Sequence, residues 1–209
     1  MLESIFSFIC HQVPERTLTI GGHLLPLCAR CTGIYSGFLI GLVFQIIVRR
    51  QVKRLPSLAI SAMSTVFIVA LIIDGVGERL QLWQIGNQVR FLIGLFCGSS
   101  LSIILFPLFN YFLHENHIQV SSIGSRNYTG LLVLVCLLFG LHYVSGSFSL
   151  FSFISIAGVL SIYLMANMTL VGIILNRKGM RWGYRNAFVM TGLILVLLLG
   201  EAMILGTIR

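Results

Sequence analysis

Charged residues are scarce in this sequence. Only 10% of its 209 residues are Asp, Glu, Lys or Arg, whereas a soluble domain carries about 25%. Hydrophobic residues make up 57% of the chain, and the mean hydropathy is +0.97. This composition excludes an ordinary soluble domain. It predicts an all-α, polytopic integral membrane protein, because helices satisfy their own backbone hydrogen bonds inside lipid.

Acidic residues are also scarce. Six acidic residues stand against fourteen basic ones, which gives a net charge of +8. In a soluble protein this excess would point to nucleic acid, but here the basic residues cluster between apolar runs. We therefore expect contact with the lipid bilayer and no nucleic-acid partner. The first ten residues have neither a basic start nor a small-residue cleavage site, so we expect no signal peptide.

Six apolar runs approach the length of about 20 residues that a helix needs to cross the hydrocarbon core. They cover residues 31–48, 56–73, 91–112, 128–143, 148–175 and 187–205. Residues 4–9 are apolar but too short to span, and they predict an interfacial or re-entrant segment. Because the chain has no internal repeat or linker, we expect one integral domain. It divides into a Cys/His-rich segment (1–31), three helices (31–113) and three more helices (114–209).

Basic residues are concentrated in two loops, at 49–54 and 176–186. Four predicted spans separate these loops, so both lie on the same side of the cell membrane. The positive-inside rule makes that side cytoplasmic. The same count predicts that the N-terminal Cys/His segment and the connection 74–90 are extracytoplasmic.

Three of the five cysteines and two of the five histidines fall within residues 10–31. The Cys-x-x-Cys formed by Cys28 and Cys31 is a spacing common in zinc sites. Thiolates combined with imidazole favour zinc or an iron–sulfur centre. We therefore predict a metal site, with zinc as the first choice, and His23 as a spare ligand. Its four predicted ligands are Cys10, His11, Cys28 and Cys31.

Two other interpretations of the cysteines stay open. The pair Cys28 and Cys31 is also typical of thiols that cycle between dithiol and disulfide, which predicts a quinone-linked thiol–disulfide oxidoreductase. Arg30 lies between them and would favour the thiolate form. A zinc knot or disulfide that only pins the N-terminal segment is the third interpretation. Cys97 and Cys136 lie inside apolar runs, where we expect them to serve packing.

The connection between the second and third spans is polar. On a helix, Asp74 and Glu78 share one face, and Asn87 and Arg90 share one face of the next helix. Ionisable groups at the bilayer boundary are costly unless they are paired or functional. We predict that these four residues form a wall facing the metal site. Asp74 or Glu78 would be the general base, and Arg90 the oxyanion partner, in metal-assisted chemistry on a lipid-linked or amphipathic substrate.

The same polar residues fit two other interpretations. One is an inter-helix salt bridge that orders the connection. The other is a small transporter or substrate-binding membrane subunit, whose path Asp74, Arg90 and Glu201 would line. No span is broken symmetrically by proline or paired glycine, which argues against a transporter.

Small residues form a stripe along the first span. Gly33, Gly37 and Gly41 recur every four residues, a spacing that lets helix backbones approach closely. The stripe predicts tight packing, either inside the chain or across a homo-oligomer.

The motifs around the cysteines resemble the signature of a prokaryotic membrane-protein family that carries only a domain-of-unknown-function label. The matching segments are CHQVPERT at 10–17 and LPLCARCTGIYSG at 25–37. The later Asp74-Gly75, Asn87, Arg90 and Gly94 are similar to that family's second motif, DG…NxxR…G. The resemblance covers the first half of the chain and implies which residues act together, but it implies no activity. It also groups Arg16 with the cysteines, so we expect Arg16 to lower thiol pKa values as Arg30 does.

Overall fold

The structure is a computed structural model, which describes residue 10 and residues 13–48, 56–113, 123–145 and 147–174. Within these residues, five helices are long and apolar enough to cross a membrane. The helical membrane fold predicted from composition is therefore confirmed. The sixth predicted span (187–205), the apolar residues 4–9, both basic loops, His11 and Glu201 lie outside the described residues.

The helices follow the predicted apolar runs and extend some of them. They are α1 (Ala29–Val48), α2 (Leu58–Arg79), α3 (Asn87–Leu113), α4 (Ser125–Ser145) and α5 (Phe148–Ile174). The second and third runs were predicted to end at 73 and begin at 91, but α2 continues to Arg79 and α3 begins at Asn87. The polar residues of the connection are therefore helical, and they belong to the end of α2 and the start of α3.

A β-hairpin that we did not predict precedes α1. Its strands β1 (Thr17–Ile20) and β2 (His23–Cys28) pair antiparallel. The turn between them consists of Gly21 and Gly22, whose φ angles are 58° and 81°. Two consecutive positive φ angles give the hairpin turn that best matches strand twist, and glycine adopts them without strain. Leu18, Ile20 and Leu25 of the hairpin are buried in the helical core, whereas Leu24 is exposed. Strand β2 ends immediately before α1.

Helices α1 and α3 pack most extensively, and they do so through glycine. A Cβ on Gly37 would meet the backbone of Leu95, and a Cβ on Gly33 would lie 2.9 Å from the Cα of Gly94. At Gly41 a Cβ would collide with Ser102. The small-residue stripe is thus covered by α3 of the same chain. This corrects the expectation of a homo-oligomer through Gly33, Gly37 and Gly41, because that face is not available to a second copy.

The outer surface is apolar and polar side chains lie inside. Helix α2 has the smallest buried share of the five spans, and its outward residues are large and apolar, for example Val66, Ile72 and Ile73. Inside the bundle, Gln45 donates a hydrogen bond to Ser102 (3.2 Å). This arrangement suits contact with acyl chains, which offer no hydrogen-bond partner to polar groups.

Candidate functional site

Three cysteine sulfurs meet where the hairpin enters α1. The Sγ atoms of Cys10, Cys28 and Cys31 all lie within 4.8 Å of one another. Cys28 ends β2 and Cys31 lies in the first turn of α1, so the strand-to-helix junction positions two of the sulfurs. Cys10 is buried, and its sulfur accepts a hydrogen bond from the backbone N–H of Cys28 (3.2 Å). The three predicted cysteine ligands are therefore brought together.

His23, considered as a spare ligand, is not part of this cluster. It lies at the start of β2, at the far end of the strand from Cys28. Its ring packs against that of Phe148, with 5.5 Å between ring centroids. The expectation that His23 supplements the cysteines is therefore wrong, because the extended strand separates the two.

The cysteine cluster combines a favourable helix end with crowded thiols. The positive end of a helix favours negative charge, and α1 begins between Cys28 and Cys31. The pKa of the Cys28 thiol is nevertheless raised, first by its hydrogen bond with Cys10 and also by burial, while its hydrogen bond with Cys31 acts the other way. Cys10 and burial thus oppose the ionisation of Cys28. A divalent cation bound between the thiols would reverse this, because coordination stabilises the thiolate.

The arginines near the cysteines are committed to carboxylates. Arg30 donates hydrogen bonds from Nε (2.9 Å) and from Nη2 to Oδ2 of Asp74. Its Nη2 also donates a hydrogen bond to Oε2 of Glu78 (2.9 Å). Arg16 pairs with Glu78 as well (3.1 Å). The expectation that Arg16 and Arg30 lower the thiol pKa values is therefore wrong for Cys28, whose pKa is raised. Their positive charge is balanced by α2 instead.

Glu78 is the centre of an ion-pair network that joins the segment before β1 to α1, α2 and α3. Its Oε1 forms ion pairs with Nε of Arg16 and with Nη2 of Arg90 (2.7 Å), and its Oε2 accepts a hydrogen bond from Nη2 of Arg30. Asp74 and Arg90 are 2% and 6% exposed. Two of their buried atoms, Oδ1 of Asp74 and Nε of Arg90, have no hydrogen-bond partner among the described residues.

Asn87 makes a different kind of contact. Its Nδ2 donates to the backbone carbonyl of Glu15 (2.9 Å) and to that of Thr17 (3.4 Å). The start of α3 is thereby tied to the chain that enters the hairpin. Asn87 thus holds the wall in place, whereas the ionisable residues make up its charge.

The three cysteines line one cavity of about 1180 Å³ together with Glu78 and its arginine partners. Asp74, which was predicted to belong to the same wall, is not among the lining residues. It lies between the hairpin-to-helix junction, the end of α2 and the start of α3. Arg79 lines the cavity although we did not predict it as a site residue. Its position next to the predicted residue Glu78 was the one feature of the sequence that pointed to it. Tyr35 of α1 and Tyr163 of α5 pack against the buried cluster that contains Cys10. No sequence pattern linked Tyr163 to the site, because its contact depends on how α5 packs on α1.

The first half of the chain is similar to known proteins. The family described as Predicted membrane protein (DUF2085) matches residues 10–104, which include every residue that lines the cavity. An uncharacterized protein of Methanocaldococcus jannaschii is 35% identical over 111 residues, which are 52% of this chain and 68% of that protein. An uncharacterized protein of Methanothermobacter thermautotrophicus is 32% identical over 109 residues, 52% of this chain and 95% of that protein. No solved structure matches the chain.

Proposed function

This chain belongs to the family described as Predicted membrane protein (DUF2085), and from that premise we propose that it binds a metal ion through Cys10, Cys28 and Cys31. The ion is zinc by the chemistry of its ligands. It lies at the extracytoplasmic surface of the membrane and supports chemistry on a lipid-linked or amphipathic substrate. The observation that carries the proposal is the approach of three sulfurs to within 4.8 Å of one another.

The spacing of the sulfurs suits a tetrahedral ion better than a disulfide. With Zn–S distances of about 2.3 Å, sulfurs around tetrahedral zinc lie roughly 3.8 Å apart. A disulfide joins its sulfurs at about 2.05 Å. From separations of up to 4.8 Å, closing around an ion needs the smaller movement. An ion also uses all three sulfurs, whereas a disulfide uses two.

Three thiolates leave one position of a four-coordinate zinc for another ligand. His11 is the sequence candidate for it. With His11 bound the site is closed and structural, and without it the fourth position is open to water or substrate. The backbone N–H of Cys28 and the start of α1 supply positive partial charge, which stabilises thiolate ligands.

Glu78, Asn87 and Arg90 enter the proposal as the wall of the cavity, and Asp74 lies behind this wall in an ion pair with Arg30. Both carboxylates are engaged by arginines, which supports a positioning role. Through Arg30, which lies between Cys28 and Cys31, they hold the first turn of α1. The general-base role of Asp74 or Glu78 and the oxyanion role of Arg90 remain predictions.

Elemental analysis of the purified protein tests the proposal. We expect about one zinc per chain and loss of most of it in Cys28→Ser. The matched control is Cys136→Ser, which makes the same change at an exposed cysteine of α4 and should leave the zinc content unchanged. Protein without zinc, or equal zinc in both variants, contradicts the proposal.

A thiol–disulfide oxidoreductase is the second candidate. Cys28 and Cys31 are both thiols at the start of a helix, which is where redox-active Cys-x-x-Cys pairs occur. This function requires an electron acceptor, for which quinone is the membrane-soluble choice. Thiol titration before and after addition of quinone separates the two candidates. Loss of about two thiols per chain in zinc-free protein favours the oxidoreductase, and unchanged thiols in zinc-loaded protein favour the metal site.

A further inference from the structure

We propose that the arginine side of the cavity binds the phosphate group of an anionic ligand. This inference names the substrate class of the proposed function and rests on it for the ligand's role as a substrate. The binding itself is measured separately from the zinc content. Four observations support it: the charge of the lining, a buried donor, two helix ends and an apolar rim.

Arginines outnumber carboxylates around the cavity. Four arginines line it, and the carboxylates are Glu15 and Glu78 in the lining with Asp74 behind Arg30. Four guanidinium groups are therefore shared among three carboxylates. Arg79 is exposed and has no ion pair within the described ranges. A guanidinium that lines a cavity without a carboxylate is well suited to bind a phosphate oxygen.

Arg90 supplies a buried donor. One of its nitrogens is bound to Glu78 (2.7 Å), but Nε has no acceptor among the residues that the structure describes. The residue is 6% exposed and lines the cavity. A buried charged donor without an acceptor is unfavourable. A phosphate oxygen next to Nε would satisfy it, and charge-assisted hydrogen bonds of this kind are strong.

Two helix N-termini open on the same space. Cys28 and Arg30 line the cavity at the start of α1, and Gly86 and Asn87 line it at the start of α3. The first amide groups of a helix lack partners within that helix, and the helix dipole adds positive potential there. Both effects attract phosphate. The helix ends thus add to the attraction that the arginines provide.

The rim of the cavity suits a ligand that carries acyl chains. Leu80, Leu82 and Trp83 follow α2 and are 63%, 64% and 39% exposed. They alternate with Gln81 and Gln84, which line the cavity. Tryptophan and exposed apolar side chains at the end of a spanning helix are typical of the interface where lipid headgroups lie. The same phosphate chemistry occurs in free phosphate, so the test must separate the two sources.

The test measures binding to the full-length protein in detergent by native mass spectrometry and calorimetry. The probes are short-chain phosphatidic acid, phosphatidylcholine with the same chains, and inorganic phosphate. We expect phosphatidic acid to bind more tightly than phosphatidylcholine. Arg90→Gln and Arg79→Gln should weaken this binding on the order of tenfold. The control Arg126→Gln, at the start of α4 and the opposite end of the bundle, should leave it unchanged.

Glu78→Gln should change the affinity for phosphatidic acid in the opposite direction from the arginine variants. It keeps the size of the side chain but removes the carboxylate that competes for Arg16, Arg30 and Arg90. We therefore expect tighter binding of phosphatidic acid, whereas general damage to the cavity would weaken it. Weaker binding by this variant contradicts the inference.

The outcomes separate the inference from the proposed function. Equal affinity for phosphatidic acid and phosphatidylcholine, or equal affinity of wild type and Arg79→Gln, overturns the inference. Inorganic phosphate that competes as strongly as phosphatidic acid supports a phosphate site and assigns it to the free ion. Zinc with no phosphate binding overturns this inference alone, and phosphate binding without zinc overturns the metal proposal alone. Because Arg79 is exposed, its variant keeps the test decisive even where Arg90→Gln does not fold.

Discussion

Removing the charge of Asp74 should loosen the first turn of α1. Asp74→Asn preserves the shape of the side chain but removes the negative charge of the carboxylate. That carboxylate accepts hydrogen bonds from Nε and Nη2 of Arg30. The Asp74 side chain is 2% exposed and that of Arg30 is 24% exposed, so solvent screens this pair only slightly. Arg30 would then keep a single carboxylate partner, Glu78.

The expected loss can be bounded. Removing one partner of a buried ion pair costs about 3–5 kcal/mol. We expect the lower limit, about 3 kcal/mol, because Arg30 keeps its contact with Glu78 (2.9 Å) and is partly exposed. In a double-mutant cycle with Arg30→Gln, the coupling energy should be about 2 kcal/mol.

The assay is the free energy of unfolding, followed by helical ellipticity during SDS titration in mixed micelles. Wild type, Asp74→Asn, Arg30→Gln and the double variant complete the cycle. The control is Glu15→Gln, the same change at an exposed carboxylate, which should cost less than about 0.5 kcal/mol. Additive losses in the double variant would refute the reasoning, because the two side chains would then not stabilise each other.

Three more experiments test packing, positioning and topology. Gly37→Val should lower the free energy of unfolding by about 2 kcal/mol. The control Gly140→Ala should not lower it, because a Cβ at that position meets nothing within 4 Å. Similar losses in the two variants would contradict the packing of α1 on α3. Asn87→Ala should lower the free energy of unfolding by about 1 kcal/mol. It should also speed the loss of zinc to a chelator, since Asn87 holds the chain that enters the hairpin. An unchanged rate of zinc release would contradict this role of Asn87. Gln84→Cys and Arg126→Cys should add labelling by an impermeant maleimide on opposite sides of the membrane, because α3 lies between them; labelling on one side would contradict the topology.

The spans could be predicted because lipid imposes a length and a composition that few other structures share. The residues at which the helices begin and end could not be predicted in the same way. Hydropathy falls at Asp74, yet α2 continues to Arg79, because arginines of other elements neutralise the carboxylates and allow the helix to continue. The ends of a membrane helix therefore depend on tertiary partners that a hydropathy window does not contain.

The grouping of the cysteines was accessible from their spacing, but the surrounding contacts were not. The hairpin had a local signal in Gly21-Gly22 between two apolar segments. The partners of Arg30 had none, because Asp74 lies 44 residues away in sequence. Arg30 was therefore expected to act on the neighbouring thiols. Only the fold, in which α1 and α2 both pack on α3, reveals that it binds carboxylates at the end of α2.

The most direct test of the account is the zinc X-ray absorption spectrum of the purified protein. Coordination by Cys10, Cys28 and Cys31 predicts about three sulfur atoms at about 2.3 Å and one nitrogen or oxygen atom near 2.0 Å. Serine in place of Cys28 should reduce the sulfur contribution, and serine in place of Cys136 should not. A shell of nitrogen and oxygen atoms alone, or protein that binds no zinc, would contradict the account.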